Sequence, residues 1–372
     1  MSDTVNAELF IQSSGSDASP PGRDAVAVMM SGGVDSSVAA LALREAGREV
    51  FGITMRIPRL AEGGGRRPCC GVDAAFVCRD LGIAHYFMEV EEAFDRWIIG
   101  PFRQAYLRGE TPSPCVDCNA RVKFEWAWDA IRDAFGVQNL ATGHYAQIVE
   151  RDGAHCLVRG VDRSRDQSYF LYGVHREKIP FLHLPIGGMT KSEVRKIAVA
   201  HGLSTSRKPD SMELCFANEG DYRTLFAETT ARPGPIVDLE GHVLGEHTGL
   251  HHYTVGQRRG LGIAHSEPLY VLQIRTDTNT VVVGPRAAAF VCEVSAESLN
   301  CLQPCRLDAG NRLFGKIRSV GEPEPCTIVR CGGGRLDVRF ESPVFAPAAG
   351  QHLVLYDEHS AVVAGGVIRL FP

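Results

Sequence analysis

Residues 25–47 constrain the fold of this chain more than any other stretch. Six mostly apolar residues, 25–30, predict a buried strand; a glycine turn follows at residues 31–33, and a helix is expected from about Asp35. A strand, a glycine turn and a helix in succession direct backbone N–H groups and the positive end of a helix at an anion. Glycine also lets a phosphate approach the backbone closely. The stretch therefore predicts a phosphate site.

The turn reads SGGVDSS, residues 31–37. No Gly-Lys-Ser/Thr closes it, as in a Walker A loop, and the dinucleotide pattern GxGxxG is absent. The heptapeptide resembles the PP-loop of ATP pyrophosphatases, which cleave ATP to AMP and pyrophosphate while they adenylate a substrate. A plain glycine–serine turn in an α/β sheet is the alternative. The expected ATP contacts are Met29, Met30, Ser31, Gly32, Gly33, Val34, Asp35, Ser36 and Ser37.

Two residues at other strand ends extend this ATP site. Met55 ends a second apolar strand and Gly143 follows another, so both are expected at the carboxyl edge of the sheet, where α/β proteins bind ligands. A core methionine and an ordinary turn glycine are the alternatives. Asp35 is expected either to hold Mg²⁺ or to cap the following helix.

Alternating strand and helix patterns up to about residue 210 predict an α/β fold with a doubly wound parallel sheet. Within it, Val38, Leu41 and Ala42 are expected on one face of the first helix, Asp152 and Gly153 favour a hairpin turn, and Thr190 to Glu193 form a capping-box pattern. Beyond Cys215, short alternating segments rich in glycine, proline and valine predict a small β-rich linking domain and then a β-barrel. The predicted divisions are a disordered N-terminal extension (1–23), an ATP-binding catalytic domain (24–215), a small central β-rich domain (216–285) and a C-terminal β-barrel (286–372).

Composition narrows the function classes. The 372 residues carry a formal net charge of −5, so nucleic-acid binding would need a local basic patch rather than an overall basic surface. No apolar run is long enough for a transmembrane helix, and the N-terminus does not read as a secretory signal. Twelve cysteines in a chain of this length do not predict a disulfide scaffold, and a cytoplasmic protein with reduced thiols is expected.

Cys115 and Cys118 form a C-x-x-C pattern, which is typical of metal binding or thiol redox exchange. A small structural pair is the alternative. Two prolines just before the pattern predict no regular helix through residue 114, and a helix is expected from about residue 119. Cys118 would then lie at the helix N-terminus, where the helix dipole, with Arg121 and Lys123, lowers the pKa of its thiol.

Seven motifs occur along the chain in this order: SGGVDSS (31–37), TPSPCVDCNARVKF (111–124), ATGHYA (141–146), DQSYFL (166–171), KSEVRKIA (191–198), DSMELCF (210–216) and YTVGQRRGLGI (253–263). Together they resemble those of the tRNA-specific 2-thiouridylases, a PP-loop family that replaces oxygen by sulfur at C2 of the wobble uridine. The resemblance covers about residues 24–285.

The resemblance implies an activity with two halves. ATP adenylates the C2 oxygen of the uridine, and a cysteine persulfide then delivers sulfur, giving 2-thiouridine, AMP and pyrophosphate. By motif match, Cys215 is the persulfide carrier and Cys118 its catalytic partner, which releases sulfide or closes a redox-active disulfide with Cys215. The implied tRNA contacts are Ser113, Pro114 and Cys115 at the target base, then Arg165, Asp166 and Gln167, and Arg318 and Ser319 in the barrel.

One position departs from the family pattern. Many members carry aspartate where this chain has Cys115, and Asp117 is displaced by two positions. The change creates a set of three thiols, Cys115, Cys118 and Cys215, which resembles the set that holds a [4Fe–4S] cluster in related thiolases. The sequence leaves open whether this chain binds such a cluster.

The implied partners are the anticodon stem-loop of tRNA and a sulfur-donor protein, a cysteine desulfurase or a persulfide relay. Two other functions stay open. An amide-forming PP-loop ligase would also adenylate a substrate but would need no paired thiols. A non-catalytic RNA-binding protein with a degenerate nucleotide fold would need no intact loop.

Overall fold

The computed structural model describes residues 9–12, 21–60, 66–68, 71–210, 214–217, 225–226 and 232–369, without the side chains of residues 59–60 and 66–68. The chain forms two compact units. The first joins residues 1–97 to 115–221, and the second joins 98–114 to 222–372. Most of the predicted N-terminal extension lies outside the described residues.

Twenty strands are described, numbered here in chain order. They are β1 (Phe10–Gln12), β2 (Val26–Met29), β3 (Val50–Arg56), β4 (Pro58–Leu60), β5 (Arg66–Pro68), β6 (His85–Glu89), β7 (Asn139–Ala141), β8 (Ala146–Arg151), β9 (Ala154–Arg159), β10 (Leu182–His183), β11 (Gly234–Val237), β12 (Val243–His247), β13 (Leu269–Arg275), β14 (Thr280–Pro285), β15 (Phe290–Cys301), β16 (Arg312–Lys316), β17 (Glu324–Gly332), β18 (Arg335–Phe345), β19 (His352–Tyr356) and β20 (Val362–Arg369).

The described α-helices are α1 (Val34–Glu45), α2 (Val72–Asp80), α3 (Glu91–Phe94), α4 (Gly100–Leu107), α5 (Pro114–Asp117), α6 (Trp128–Phe135), α7 (Ser168–Leu171) and α8 (Lys191–Ala200). Two π-helical segments, Asp95–Ile99 and Cys118–Ala127, continue α3 into α4 and α5 into α6. No helix in these ranges combines the length and the apolar character that crossing a membrane requires.

The first unit is built on a six-stranded sheet in the order β1-β6-β3-β2-β7-β10. Its strands run parallel except β1, which pairs antiparallel with β6 at the edge. The five parallel strands thus follow the order third, second, first, fourth, fifth along the chain, which is the doubly wound arrangement expected from the sequence. The strand order reverses between β2 and β7, and the crevice beyond their carboxyl ends is the expected ligand site.

Local patterns explain several of these elements. Val26 and Val28 of β2 pack with Val38 and Leu41 of α1 in one buried cluster, as the apolar spacing predicted. The hairpin β8–β9 turns at Asp152 and Gly153, whose φ angles of 49° and 75° suit a tight two-residue turn. Helix α8 begins with the predicted capping box. The Thr190 side chain accepts the backbone N–H of Glu193, and the Glu193 side chain accepts the backbone N–H of Thr190.

The start of the thiol-bearing helix was predicted wrongly. The sequence placed it near residue 119, but the helix begins at Pro114 and runs through α5, the π-helical segment and α6 to Phe135. Proline is well suited to the first helical position, because the N–H that it lacks would have no intrahelical partner there. Pro114 therefore starts the helix instead of blocking it.

The second unit contains a four-stranded sheet, in the order β12-β11-β14-β13, and a closed barrel, in the order β15-β18-β17-β16-β19-β20. Ile236, Val271 and Val281 belong to the core of the four-stranded sheet. The barrel core includes Leu313, Val338 and Leu353. A β-rich part followed by a barrel is what the sequence predicted.

The sequence patterns did not predict strand β15. Its twelve residues pair with β18 on one side and β20 on the other, and so close the barrel. Its pairing shifts register between Val291 and Glu293 and again between Glu297 and Asn300, and Ser298 has a φ of 55°. These bulges interrupt the two-residue alternation by which a strand is recognised in a sequence.

Candidate active site

The predicted phosphate loop lies at the end of β2, where the strand order reverses. Gly32 has a φ of 71°, a conformation that glycine adopts without strain. Ser36 Oγ and Ser37 Oγ donate to the Gly33 carbonyl at 3.1 and 2.9 Å, and the Ser31 N–H donates to Ser36 Oγ. These bonds shape the loop, and the first turn of α1 presents N–H groups that have no intrahelical partner.

The other predicted ATP contacts surround this loop. Met29 and Met30 are buried at the end of β2, and Met55 lies near the end of β3, the parallel neighbour. Gly143 follows β7, the neighbour on the other side. A Cβ atom on Gly143 would lie 2.6 Å from the Asp35 carbonyl carbon and the Ser36 nitrogen, so the chain there runs directly against the first turn of α1. The structure brings these residues together at one edge.

Asp35 does not cap α1. The N-cap residue is Gly33, and the Asp35 carboxylate instead accepts hydrogen bonds from Tyr145 Oη at 2.7 Å and from Lys191 Nζ at 2.9 and 2.8 Å. Burial and the bond to Asp35 raise the pKa of the Tyr145 hydroxyl. Both carboxylate oxygens of Asp35 therefore face the Lys191 ammonium.

Lys191 also bridges Asp35 to Asp210, from which its Nζ lies 2.8 Å away. Two guanidinium groups also form ion pairs with Asp210, with Arg195 Nη2 2.8 Å and Arg165 Nη1 3.0 Å from its carboxylate oxygens. Burial opposes ionisation of Asp210, but the hydrogen bond from Lys191 and the three cations outweigh it and lower its pKa. A third carboxylate, Asp162, accepts the Lys191 backbone N–H at 3.0 Å, so the positive and negative charges of this cluster balance beside the phosphate loop.

The segment that leads to Cys215 is held on the phosphate loop. Thr205 Oγ1 donates to Ser37 Oγ at 3.0 Å, between two buried side chains, and Lys208 Nζ donates to the Gly32 carbonyl at 2.9 Å. Sequence reasoning missed these anchors. Neither Thr205 nor Lys208 lies in one of the seven motifs, whereas Lys191 and Asp210, which pair beside them, open two of those motifs.

Cys118 is half-buried within the helix that starts at Pro114, so its predicted place at a helix N-terminus is wrong. Burial raises the pKa of the Cys118 thiol to about 11, and the nearby Lys123 ammonium counteracts this only in part. The expected lowering of this pKa is therefore also wrong, because the free energy lost on desolvating the thiolate exceeds what the helix dipole and nearby cations supply. Lys123 is itself held by the Asn119 side chain, at 2.7 Å.

His144 connects the thiol-bearing helix to the nucleotide edge. Its ring lies 6.0 Å from that of Phe124, and Nδ1 hydrogen-bonds Thr142 Oγ1 at 2.7 Å. Burial and the Lys123 ammonium hold the pKa of His144 well below its usual value, so the ring is neutral. His144 directly follows Gly143, which packs on the first turn of α1. Helix and phosphate loop are thus linked through two consecutive residues.

Cys215 lies on an exposed turn of the first unit. The next residue, Phe216, is buried, and its ring packs edge-on against Phe94 of α3 at 5.7 Å. Helix α3 in turn packs against the π-helical segment that begins at Cys118. The two predicted catalytic cysteines therefore come from neighbouring parts of one unit.

The predicted tRNA contacts of the first unit have different surroundings. The Arg165 side chain is partly exposed and bonds Asp210. The Asp166 carboxylate is buried, 2.8 Å from the equally buried Arg159 guanidinium, and accepts the N–H groups of Gly160 and Ser168. Gln167 Oε1 accepts the Tyr145 N–H at 2.9 Å. Asp166 and Gln167 therefore shape the turn, and Arg165 has the most exposed side chain of the three.

The remaining predicted contacts lie at the start of α5 and in the barrel. Ser113 is half-buried before Pro114, and Cys115 is exposed. The Arg318 guanidinium bonds the carbonyls of Phe345 and Ala346, and the Ser319 carbonyl accepts Lys316 Nζ at 3.0 Å. Arg318 is therefore held in a defined orientation within the barrel unit.

Three family models match the chain in succession. The tRNA methyl transferase HUP domain matches residues 24–219, the tRNA methyl transferase PRC-barrel domain 223–285, and the aminomethyltransferase beta-barrel domain 293–368. The tRNA-specific 2-thiouridylase MnmA of Acetivibrio thermocellus is 41% identical over 360 residues, which cover 92% of this chain and 99% of that protein. The chain belongs to the tRNA-specific 2-thiouridylase family.

Other members of the 2-thiouridylase family are similar over comparable lengths. The MnmA protein of Carboxydothermus hydrogenoformans is 40% identical over 94% of this chain and 98% of its own length. The MnmA protein of Rickettsia akari is 41% identical over 92% of this chain and 96% of its own length. The resemblance seen in the seven motifs is thereby confirmed.

Proposed function

We propose that this protein catalyses ATP-dependent 2-thiolation of the wobble uridine of tRNA, with 2-thiouridine, AMP and pyrophosphate as products. One observation carries the proposal. The segment that leads to Cys215 is tied to the phosphate loop through Thr205, Lys208 and Asp210, and the Cys118 helix reaches the same edge through His144. An adenylating loop and two thiols in one unit are what sulfur insertion needs.

The matching names differ on the group transferred, since the family descriptions speak of a methyl transferase and the relatives are 2-thiouridylases. The site favours sulfur. Methyl transfer requires neither a pyrophosphatase-type loop nor paired thiols, whereas thiolation requires an activated carbonyl and a nucleophilic sulfur.

In the first half of the reaction, the loop at residues 31–37 binds the ATP phosphates. The backbone N–H groups at the start of α1 and the cations Lys191 and Lys208 provide the positive field. Mg²⁺ enters with ATP as its counter-ion. The C2 oxygen of uridine attacks the α-phosphate and expels pyrophosphate, which turns that oxygen into part of an AMP leaving group.

In the second half, a persulfide on Cys215 attacks C2 through its terminal sulfur, and AMP leaves. The Cys118 thiolate then attacks the Cys215 sulfur. This breaks the bond to the transferred sulfur, which keeps the electron pair and becomes the 2-thio group, while a Cys118–Cys215 disulfide forms. The two cysteines thus supply the two electrons that reduce the transferred sulfur.

The proposed partners are tRNA and a sulfur-donor protein. The target base must leave the anticodon stack to reach a site at a sheet edge. Proposed contacts are residues 113–115 at the base, residues 165–167, of which Arg165 is the most exposed, and Arg318 with Ser319 in the proposed C-terminal domain, residues 286–372. The cytoplasm is the proposed location, and the divisions 1–23, 24–215 and 216–285 complete the proposed domain organisation.

A [4Fe–4S] cluster is the alternative use of Cys115, Cys118 and Cys215. The two thiols of the C-x-x-C pattern lie near each other on one helix, which suits two of the three protein ligands. Anaerobic reconstitution with iron and sulfide, followed by absorbance spectroscopy, tests it. A broad visible absorbance that is lost in Cys118→Ser supports the cluster, and an active protein without that absorbance contradicts it.

Thiolation is tested by incubating unmodified tRNA with ATP, a cysteine desulfurase and cysteine, and by measuring 2-thiouridine in the nucleoside digest. We expect Cys118→Ser, Cys215→Ser and Gly33→Val to lose the product, and the exposed Cys305→Ser to retain it. A protein that cleaves ATP to AMP and pyrophosphate without forming 2-thiouridine, with this cleavage undiminished in Cys118→Ser and Cys215→Ser, would favour an amide-forming ligase. A protein that binds tRNA but forms no 2-thiouridine, with tRNA binding undiminished in Gly33→Val, would favour a nucleotide-independent RNA-binding role.

A further inference from the structure

Cys115 is a thiol that the proposed reaction does not consume. It lies one residue after Pro114, in the first turn of the helix that also carries Cys118. Its side chain is exposed, whereas that of Cys118 is half-buried. An exposed cysteine three residues before a more sheltered one, at the start of a helix, is the arrangement of dithiols that undergo disulfide exchange.

The spacing allows the two sulfurs to meet. Residues three apart on a helix have Cβ atoms about 5–6 Å apart, and a disulfide needs about 3.5–4.5 Å. The N–H groups of the first helical turn have no intrahelical bonds, so this turn can tighten without breaking the helix.

The difference in exposure orders the two thiols for exchange. The exposed thiol is the one that solvent and a partner can reach. Cys118 is the one that, in the proposed reaction, ends as a disulfide with Cys215.

We propose that Cys115 is the resolving thiol that releases Cys215 after each sulfur transfer. The Cys115 thiolate attacks the Cys118 sulfur of the Cys118–Cys215 disulfide. A Cys115–Cys118 bond forms, the Cys118–Cys215 bond breaks, and Cys215 leaves as a thiolate that takes up the proton given up by Cys115. No electrons enter or leave in this exchange.

The exchange moves the disulfide to the exposed end of a helix. Cys215 becomes free for a new persulfide while the Cys115–Cys118 disulfide awaits an external dithiol reductant, which supplies two electrons and two protons. This step rests on the proposed function, because the Cys118–Cys215 disulfide arises only if sulfur transfer follows the persulfide route.

Disulfide mapping after a single turnover tests the step. Persulfide-loaded protein is mixed with ATP and unmodified tRNA without reductant, quenched in acid and alkylated. The peptides are then mapped by mass spectrometry, and 2-thiouridine is measured in the same sample. The variants are Cys115→Ser and Cys115→Ala, with thermal denaturation as the folding check, and the exposed Cys292→Ser is the matched control.

We expect wild type and Cys292→Ser to hold the Cys115–Cys118 disulfide in an amount equal to the 2-thiouridine formed, with Cys215 alkylated. Both Cys115 variants should retain the Cys118–Cys215 disulfide. A wild-type protein that makes 2-thiouridine yet keeps the Cys118–Cys215 disulfide would overturn this step alone. Formation of 2-thiouridine without any disulfide would overturn this step together with the proposed persulfide route, but not thiolation itself. A wild type that makes no 2-thiouridine would overturn the proposed function, and this step with it.

Discussion

Lys191 donates hydrogen bonds from its side-chain nitrogen to both carboxylate oxygens of Asp35, at 2.9 and 2.8 Å. The same ammonium lies 2.8 Å from Asp210. Helix α1, which begins at the phosphate loop, is therefore tied through one cation to the segment that precedes Cys215. In the proposed reaction, ATP phosphates that bind at the loop would compete with two carboxylates for this lysine, and we therefore expect nucleotide binding to affect the Cys215 segment.

Replacing Lys191 by methionine tests this connection. The change leaves Asp35 and Asp210 as partly buried carboxylates with one cation fewer, so we expect a loss of about 1–3 kcal/mol in the free energy of unfolding. ATP affinity should fall by about tenfold or more, since a charge-assisted hydrogen bond contributes about 1.5–3 kcal/mol. Isothermal calorimetry and chemical denaturation measure both. Lys196→Met, at an exposed position of the same helix, is the control and should change neither.

The pH dependence of Cys118 alkylation tests the role of Lys123. With a thiol pKa of about 11, the iodoacetamide rate should rise about tenfold per pH unit between pH 7 and 10, without a plateau. Lys123→Gln removes the cation that lowers this pKa, so alkylation should be slower at every pH in this range. Lys123→Arg should restore the rate. An alkylation rate that levels off near neutral pH would contradict this prediction, because it would mean that the thiol pKa is near neutral rather than raised by burial.

Asp166→Asn tests the buried ion pair with Arg159. Both side chains are almost fully buried, at 5% and 1% exposure for Arg159 and Asp166, so the variant removes the negative charge that lies against a buried guanidinium. We expect a loss of about 3–5 kcal/mol in the free energy of unfolding. Glu293→Gln breaks the Glu293–Arg339 pair, which is 64% exposed on both sides, and should cost less than about 1 kcal/mol. Similar losses for the two variants would contradict this comparison.

Gly143→Ala tests the close approach of the β7 turn to α1. The added methyl group would lie 2.6 Å from backbone atoms that cannot move aside as a side chain can. We expect a loss of about 1–3 kcal/mol in stability and weaker ATP binding, because the first turn of α1 must shift. Gly188→Ala is the control, since a Cβ atom there meets nothing within 4 Å. Unchanged ATP affinity in Gly143→Ala would mean that Gly143 does not contribute to ATP binding.

Local patterns predicted much of the fold. The strand, glycine turn and helix at residues 25–47, the hairpin at Asp152 and Gly153 and the capping box at Thr190 all form as expected, because each depends on residues close together in the chain. Strand β15 escaped recognition since its bulges break the alternation. The start of the Cys118 helix was misplaced because a proline can begin a helix as well as end one.

The surroundings of the phosphate loop show the limit of this reasoning. The sequence by itself determined that residues 31–37 form a glycine turn at the start of a helix, since a glycine conformation and a helix start are local properties. Only the tertiary structure decided that Asp35 bonds Lys191, 156 positions away, and that Lys208 bonds Gly32 across 176 positions. It also decided that Cys118 is sheltered enough for burial to raise its pKa. Desolvation and long-range pairing depend on which segments meet, and the position of β2 between β3 and β7 brings those segments together.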